Sequence, residues 1–167
     1  IPGDVHFGCQ DNLSLELMTK IAAAAGVDNI LLPGDTFDSY GVSRHPKSAA
    51  RLVGADGVTL RQEADEARPW FEKWGKMFGQ KLFLTGNHEA WWEYVQDEYP
   101  GLVGTQWWDL YGALFDGWHG FAHGTALKLG SLLVAHGDEL RGSLSAYSAA
   151  SVLRNYPGQN TLYGHTH

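Results

Sequence analysis

Four short apolar runs in this chain each lead into side chains able to bind a cation. Leu31-Leu32 runs through Pro33-Gly34 into Asp35 and Asp38, and Phe83-Leu84 runs through Thr85-Gly86 into Asn87 and His88. Leu133-Val134-Ala135 runs into His136 and Asp138, and Leu162-Tyr163 runs through Gly164 into His165 and His167. Near the start, Asp4-Val5-His6 offers a carboxylate and an imidazole two residues apart. Imidazole, carboxylate and carboxamide donors without thiolate suit borderline divalent ions such as Mn, Fe, Ni, Co or Zn. The candidate ligands Asp4, His6, Asp35, Asn87, His136, His165 and His167 exceed what one tetrahedral zinc needs. Two ions about 3.5–4 Å apart, sharing a carboxylate, would use them all. Such a pair polarises a phosphoryl oxygen and makes hydroxide from bound water near neutral pH.

Chemistry at these positions needs elements that bring them together. The periodicity predicts a helix over Asp11–Ala25, with Leu13, Leu17 and Ile21 at i, i+4 spacing and Gly26 as its stop. Asn29–Leu32 reads as a strand. Leu60, Ala64, Ala67, Phe71, Trp74 and Phe78 share one face of a long helical pattern that Pro69 should kink or divide. Lys81–Leu84 is the next strand, and Glu89–Glu98 a helix that ends before Pro100-Gly101. Leu127–Leu129 and Leu132–Ala135 flank Gly130-Ser131, the pattern of a hairpin with a tight turn. Ser145–Tyr156 is a last helix and Thr161–Tyr163 a last strand. Alternating strands and helices predict one layered α/β domain over residues 1–167, and the hairpin makes its sheet mixed. In such sheets ligands bind at the carboxyl ends of strands, where these candidates fall.

Composition narrows the function classes. The 167 residues are 44 % hydrophobic, enough for one domain with a real core. No apolar run approaches the roughly 20 residues of a membrane span, and no leader pattern is visible, so no membrane partner is expected. One cysteine, Cys9, rules out an intrachain disulfide and suits a cytoplasmic location. A net charge of −7 disfavours a large basic surface for nucleic acid. It leaves room for a phosphorylated small molecule or nucleotide, because bound cations supply local positive charge.

Taken together, the blocks Asp4-Val5-His6, Gly34-Asp35-Thr36-Phe37-Asp38, Gly86-Asn87-His88-Glu89, His136 and Gly164-His165-Thr166-His167 resemble the calcineurin-like metallophosphoesterases. That family carries D-x-H, G-D-x-x-D, G-N-H-[DE], H and G-H-x-H in this order. The resemblance spans the chain from end to end. It implies a mixed β-sheet sandwich flanked by helices. It implies a first metal on Asp4, His6, Asp35 and His167, and a second on Asp35, Asn87, His136 and His165, with Asp35 bridging. It implies His88 as a catalytic residue that is not a ligand and contacts phosphate and leaving group. The implied reaction is hydrolysis of a phosphate monoester or diester, with a metal-bridging hydroxide as nucleophile.

The chain also departs from the family. Ile1-Pro2-Gly3 reads as a turn where a buried strand normally enters D-x-H, and no strands follow G-H-x-H, so trimming at both ends is expected. "GDTFDSYGVSRHP" and "GNHEAWWEYV" look most like phage-type phosphoesterases of unassigned substrate. Ser39-Tyr40 stands where protein serine/threonine phosphatases continue with arginine and glycine, and Asp38 where purple acid phosphatases carry tyrosine. "HGDELRGSLSAY" is similar to UDP-diacylglucosamine pyrophosphatases, which carry arginine at the position of His88. Two other classes compete: a nuclease acting within a larger nucleic-acid complex, and a metal-binding scaffold without catalysis.

Several residues have plainer readings. His45, His119 and His123 read as solvated surface histidines. Asp38, carried with His88 as catalytic, either hydrogen-bonds its own loop or orients a ligand histidine. Asp138 stands similarly. Glu89 is a first-turn helix acid. Arg44 and Arg141 read as exposed arginines, Cys9 as a small buried residue, and Trp91 and Trp92 as packing.

Overall fold

The computed structural model describes residues 1–43, 58–102, 104, 107–138 and 148–165. Arg44, His45, Arg141, His167 and positions 145–147 of the last predicted helix lie outside them. The helices are α1 (Asn12–Ala24), α2 (Leu60–Met77), α3 (Asn87–Glu98), α4 (Trp107–Tyr111) and α5 (Ser148–Asn155). The strands are β1 (Asn29–Leu32), β2 (Gln80–Leu84), β3 (His119–Phe121), β4 (Leu127–Leu129), β5 (Leu132–Ala135) and β6 (Asn160–Tyr163).

The strands make two three-stranded sheets. In the first, β1, β2 and β3 run parallel in that order, with Leu31 opposite Leu82 and Leu84 opposite Phe121. In the second, β4 and β5 form the expected antiparallel hairpin, and β6 joins β5 in parallel with Tyr163 opposite Ala135. The sheet carrying the hairpin is therefore mixed. The period-two alternation of strands divides the core. Ile30, Leu32 and Phe83 point into a cluster with Phe7, Phe37, Phe71, Trp74, Tyr111 and Phe115, which includes the helices. Leu31 and Leu84 point the other way, onto Val134 of the second sheet. Trp74, Phe7 and Phe37 are fully buried, each such side chain contributing about 1.5–3 kcal/mol.

Local signals explain the helix ends. The Asp11 side chain accepts the N–H groups of Leu13 and Ser14, capping α1. Thr59 and Gln62 form a reciprocal capping box on α2. Pro69 does not divide α2, which runs unbroken through it. The proline lies on the exposed face, where water can serve the carbonyl four residues earlier.

Two features go beyond the sequence pattern. The stripe Leu13, Leu17 and Ile21 marks a helix but does not face the core: these residues are 79 %, 57 % and 60 % exposed. Leu15 and Thr19 are buried instead. Polar partners on α2 select that face. Trp74 donates its indole N–H to Thr19, Trp70 donates to Asn12, and Lys73 pairs with Glu16. Strand β3 has no forerunner among the predicted elements, because His-Gly-Phe is short and its glycine is a poor strand former.

Candidate metal centre

The site begins where β1 ends. The backbone at Asp35 turns left-handed, with φ of 46°. His6, Ser39 and His165 share that conformation, with φ of 47°, 48° and 67°. Such positions cost a non-glycine residue on the order of 1–3 kcal/mol and persist only where the surroundings hold them. Here His6 N–H donates to Asp35 O, Phe7 N–H to Thr36 O, and Asp38 N–H to Phe7 O. Three of the four strained residues are predicted ligands, so the strain lies where the donors must point inward.

Asp35 is 1 % exposed and holds the centre. Its Oδ1 accepts the His88 N–H at 3.0 Å, in the first turn of α3. The positive end of the helix dipole therefore faces this carboxylate. Its Oδ2 is ringed by three imidazoles: His136 Nε2 at 3.2 Å, His88 Nε2 at 3.8 Å and His6 Nε2 at 3.9 Å. Burial works against an ionised Asp35, but His136 and His88 outweigh it and hold the carboxyl below its usual range. Donor atoms of His6, Asp35 and His88 lie within 4.8 Å of one another, and so do those of Asp35, His136 and His165. Asp35 is common to both groups, and either can hold a metal ion.

His136 is prepared as a ligand. Its Nδ1–H donates to the Pro33 carbonyl at 3.2 Å, which leaves Nε2 facing the site. That nitrogen meets two oxygens, Asn87 Oδ1 at 2.9 Å and Asp35 Oδ2 at 3.2 Å. Two acceptors on one ring nitrogen require a proton or a cation between them. Burial disfavours the imidazolium, yet Asp35, with Asp4 and Glu89, pushes His136 up to about 9. Asp4 Oδ2 accepts the N–H of His165, while Asp4 Oδ1 is buried with no hydrogen-bond partner among the described residues. Gly164 and Gly86 permit the close approach. A Cβ on Gly164 would overlap Asp4 Oδ1, and one on Gly86 would overlap the Asp35 backbone and carboxylate. An orphaned carboxylate oxygen and a doubly solicited imidazole fit a cation better than an empty polar pocket.

Around this centre the helices supply orientation. His6 Nδ1 meets Asp38 Oδ1 at 3.2 Å, and His88 Nδ1–H donates to the Asp38 carbonyl. Asp38 thus reaches both histidines, as an orienter should. Burial lowers His6, but the Asp38 hydrogen bond and the charges of Asp35, Asp38 and Asp4 carry it above its ordinary value. Burial prevails at His88 and holds it low. The His88 ring lies 3.9 Å from the buried Trp91, one helical turn on.

Among the predicted ligands, Asp4, His6, Asp35, Asn87, His136 and His165 are thus brought together, while His167 lies outside the described residues. His88 is brought in as well, close enough to join the first group of donors. His123 is not simply solvated: it pairs with Asp138 at 2.8 Å. Cys9 is exposed, because its left-handed neighbour Gly8 turns the chain outward after Phe7. Glu89 exceeds its plain reading. It is buried, and its two oxygens accept the N–H groups of Gly86 and Phe37. Burial and the Asp35 charge push it up to about 7. Glu63 escaped sequence reasoning altogether. It stands between Gln62 and Ala64 on a helix rich in exposed charge, and only its place on the buried face could have marked it. No family model matches the chain, and no curated protein matches it.

Proposed function

We propose that this chain is a hydrolase of phosphate monoesters or diesters that works with two divalent ions, in the manner and fold of the calcineurin-like metallophosphoesterases. The observation that supports it best is one buried carboxylate, Asp35, shared by two groups of histidine donors. Asp4, His6, Asp35 and His167 would hold one ion. Asp35, Asn87, His136 and His165 would hold the other. Mn, Fe, Co, Ni and Zn all suit such donors. Bound there, the ions supply Lewis acidity toward a phosphoryl oxygen and lower the pKa of water.

The chain's own residues do the rest. His88 presents Nε2 to the site because its Nδ1–H is committed to the Asp38 carbonyl. Trp91 fixes the ring plane. Only as the imidazolium does His88 carry a proton on Nε2, and in that form it gives that proton to the departing oxygen. Asp38 holds His6 and His88 in register. The substrate is a phosphorylated small molecule or a nucleotide. Among the described residues no helix is long and apolar enough to cross a membrane.

The test is reconstitution of the metal-free chain with each of the five metals, followed by elemental analysis and a hydrolysis screen. Nitrophenyl phosphate, bis-nitrophenyl phosphate, nucleotides and single-stranded DNA cover the ester classes. Two ions per chain with metal-dependent turnover is the expected result. Full activity at one ion per chain would sink the dinuclear reading, and two ions with no turnover on any ester would sink the hydrolase.

A further inference from the structure

Glu63 lies on α2, far in sequence from every predicted ligand, yet it is 1 % exposed. Its Oε2 accepts two hydrogen bonds, from Ser39 N–H at 3.1 Å and from Tyr111 O–H at 3.0 Å. Ser39 follows Asp38 directly, and its left-handed φ of 48° is strained for serine. A backbone in that state needs an external partner, and the Glu63 carboxylate supplies it. Its stem also lies against Gly8, where a Cβ would come within 3.0 Å of Glu63 Cγ. Gly8 is two residues from His6. One buried side chain therefore touches both segments that carry the His6–Asp38–His88 contacts. Tyr111 braces the same loop from its other side, stacked 3.9 Å from Phe37.

We infer that Glu63 is a positioning residue: through Ser39 it sets the Asp38 carbonyl and carboxylate, and through Asp38 the ring orientations of His88 and His6. Removing its acceptor frees the Ser39 N–H in a buried place, and the loop relaxes toward an unstrained φ. His88 Nδ1 then loses its carbonyl partner. Both acceptor contacts fall on one oxygen, so a carboxamide oxygen can replace it. Charge is not required; an acceptor at that point is.

Only the kinetic arm of the test rests on the phosphoesterase reading. Long-range 1H–15N NMR of the histidine rings in metal-free protein reads the tautomers directly. Wild type and Glu63→Gln should show His88 protonated at Nδ1. Glu63→Ala should lose that preference, with His6 the one other ring affected, while the remaining rings keep their spectra. Should Glu63→Ala not fold, Glu63→Asp, which withdraws the carboxylate by one methylene, carries the same expectation. In the Mn-loaded protein, Glu63→Ala should lower kcat by about 10–100-fold with KM nearly unchanged, and Glu63→Gln should restore it. Tautomers that shift in a protein without hydrolytic activity would leave the positioning role standing and the hydrolase fallen. An unchanged His88 tautomer in folded Glu63→Ala or Glu63→Asp would overturn the inference.

Discussion

Asp35 carries more of this site than any other residue, since each donor group includes it. Asp35→Asn removes the charge that both groups share, and metal content and hydrolysis should fall together. Elemental analysis beside a rate assay checks this, and an intact metal content would refute the bridging assignment. His136 makes a second residue-scale prediction. Its imidazole is held protonated up to about pH 9 by Asp35, Asp4 and Glu89, against the effect of burial. An ion at Nε2 must displace that proton, so metal binding at neutral pH should release it and affinity should rise with pH. Calorimetry in buffers of different ionisation enthalpy counts the released protons. A heat independent of buffer would contradict the assignment. His88 separates binding from chemistry. His88→Ala should keep both ions and slow alkyl or nucleoside esters by about 10²–10⁴-fold, with a smaller loss on nitrophenyl esters, whose leaving group needs no proton. An equal loss on all esters would make His88 a uniform phosphate binder. Loss of metal would make it a ligand, in line with its place near His6 and Asp35.

At the scale of elements, the site depends on how firmly α2 and α3 start. α3 presents Asn87 and His88 from its first turn, and its Glu89 reaches back to Gly86 and across to Phe37. The loop from Asp35 to Ser39 is thus tied to α3 by Glu89 and to α2 by Glu63. α2 begins at the Thr59–Gln62 capping box, one turn before Glu63. Thr59→Ala should cost about 1 kcal/mol of stability, a typical loss for a removed cap. Thermal unfolding measures it, with metal affinity as control. The cap is exposed and touches no ligand, so affinity should hold. A large drop in affinity would show that the start of α2 moves with the site.

Over the whole molecule, the centre is surrounded by carboxyl groups held out of water, and this makes stability depend on pH. Burial is the main reason Glu63 stands at about 7 rather than 4.5, with the charges of Asp38 and Glu89 adding to it. The folded chain keeps a proton there that the unfolded chain releases. The contribution of Glu63 is therefore complete below pH 4.5 and is lost as pH rises through 7. Such a shift corresponds to about 3 kcal/mol at most. Metal-free protein should accordingly lose urea resistance between pH 5 and pH 8, and Glu63→Gln should lose distinctly less. Parallel pH profiles for the two proteins would show that Glu63 does not hold that proton.

The sequence by itself determined what lies close to a donor along the chain. Strand β1, the hairpin β4–β5 and the apolar face of α2 were legible because each is a local pattern of apolar and turn residues. Most donors were legible because they follow an apolar run at a glycine or a sharp turn, and Asp4 and His6 because they stand two residues apart. Tertiary structure decided what depends on distant partners. Leu13, Leu17 and Ile21 spell a helix, but Trp70, Lys73 and Trp74 chose which face of it docks. His123 looks like any surface histidine until the chain brings Asp138 to it. Glu63 and Glu89 look like helix-surface acids, and only the apolar face of α2 and the Gly86–Glu89 block set them apart from Glu66 and Glu93. Their meaning comes from backbone N–H groups 24 and 52 residues away, of Ser39 and Phe37. A short-range code specifies elements and donors. Which carboxyl becomes buried beneath the site is a property of packing, which exists only once the chain has folded.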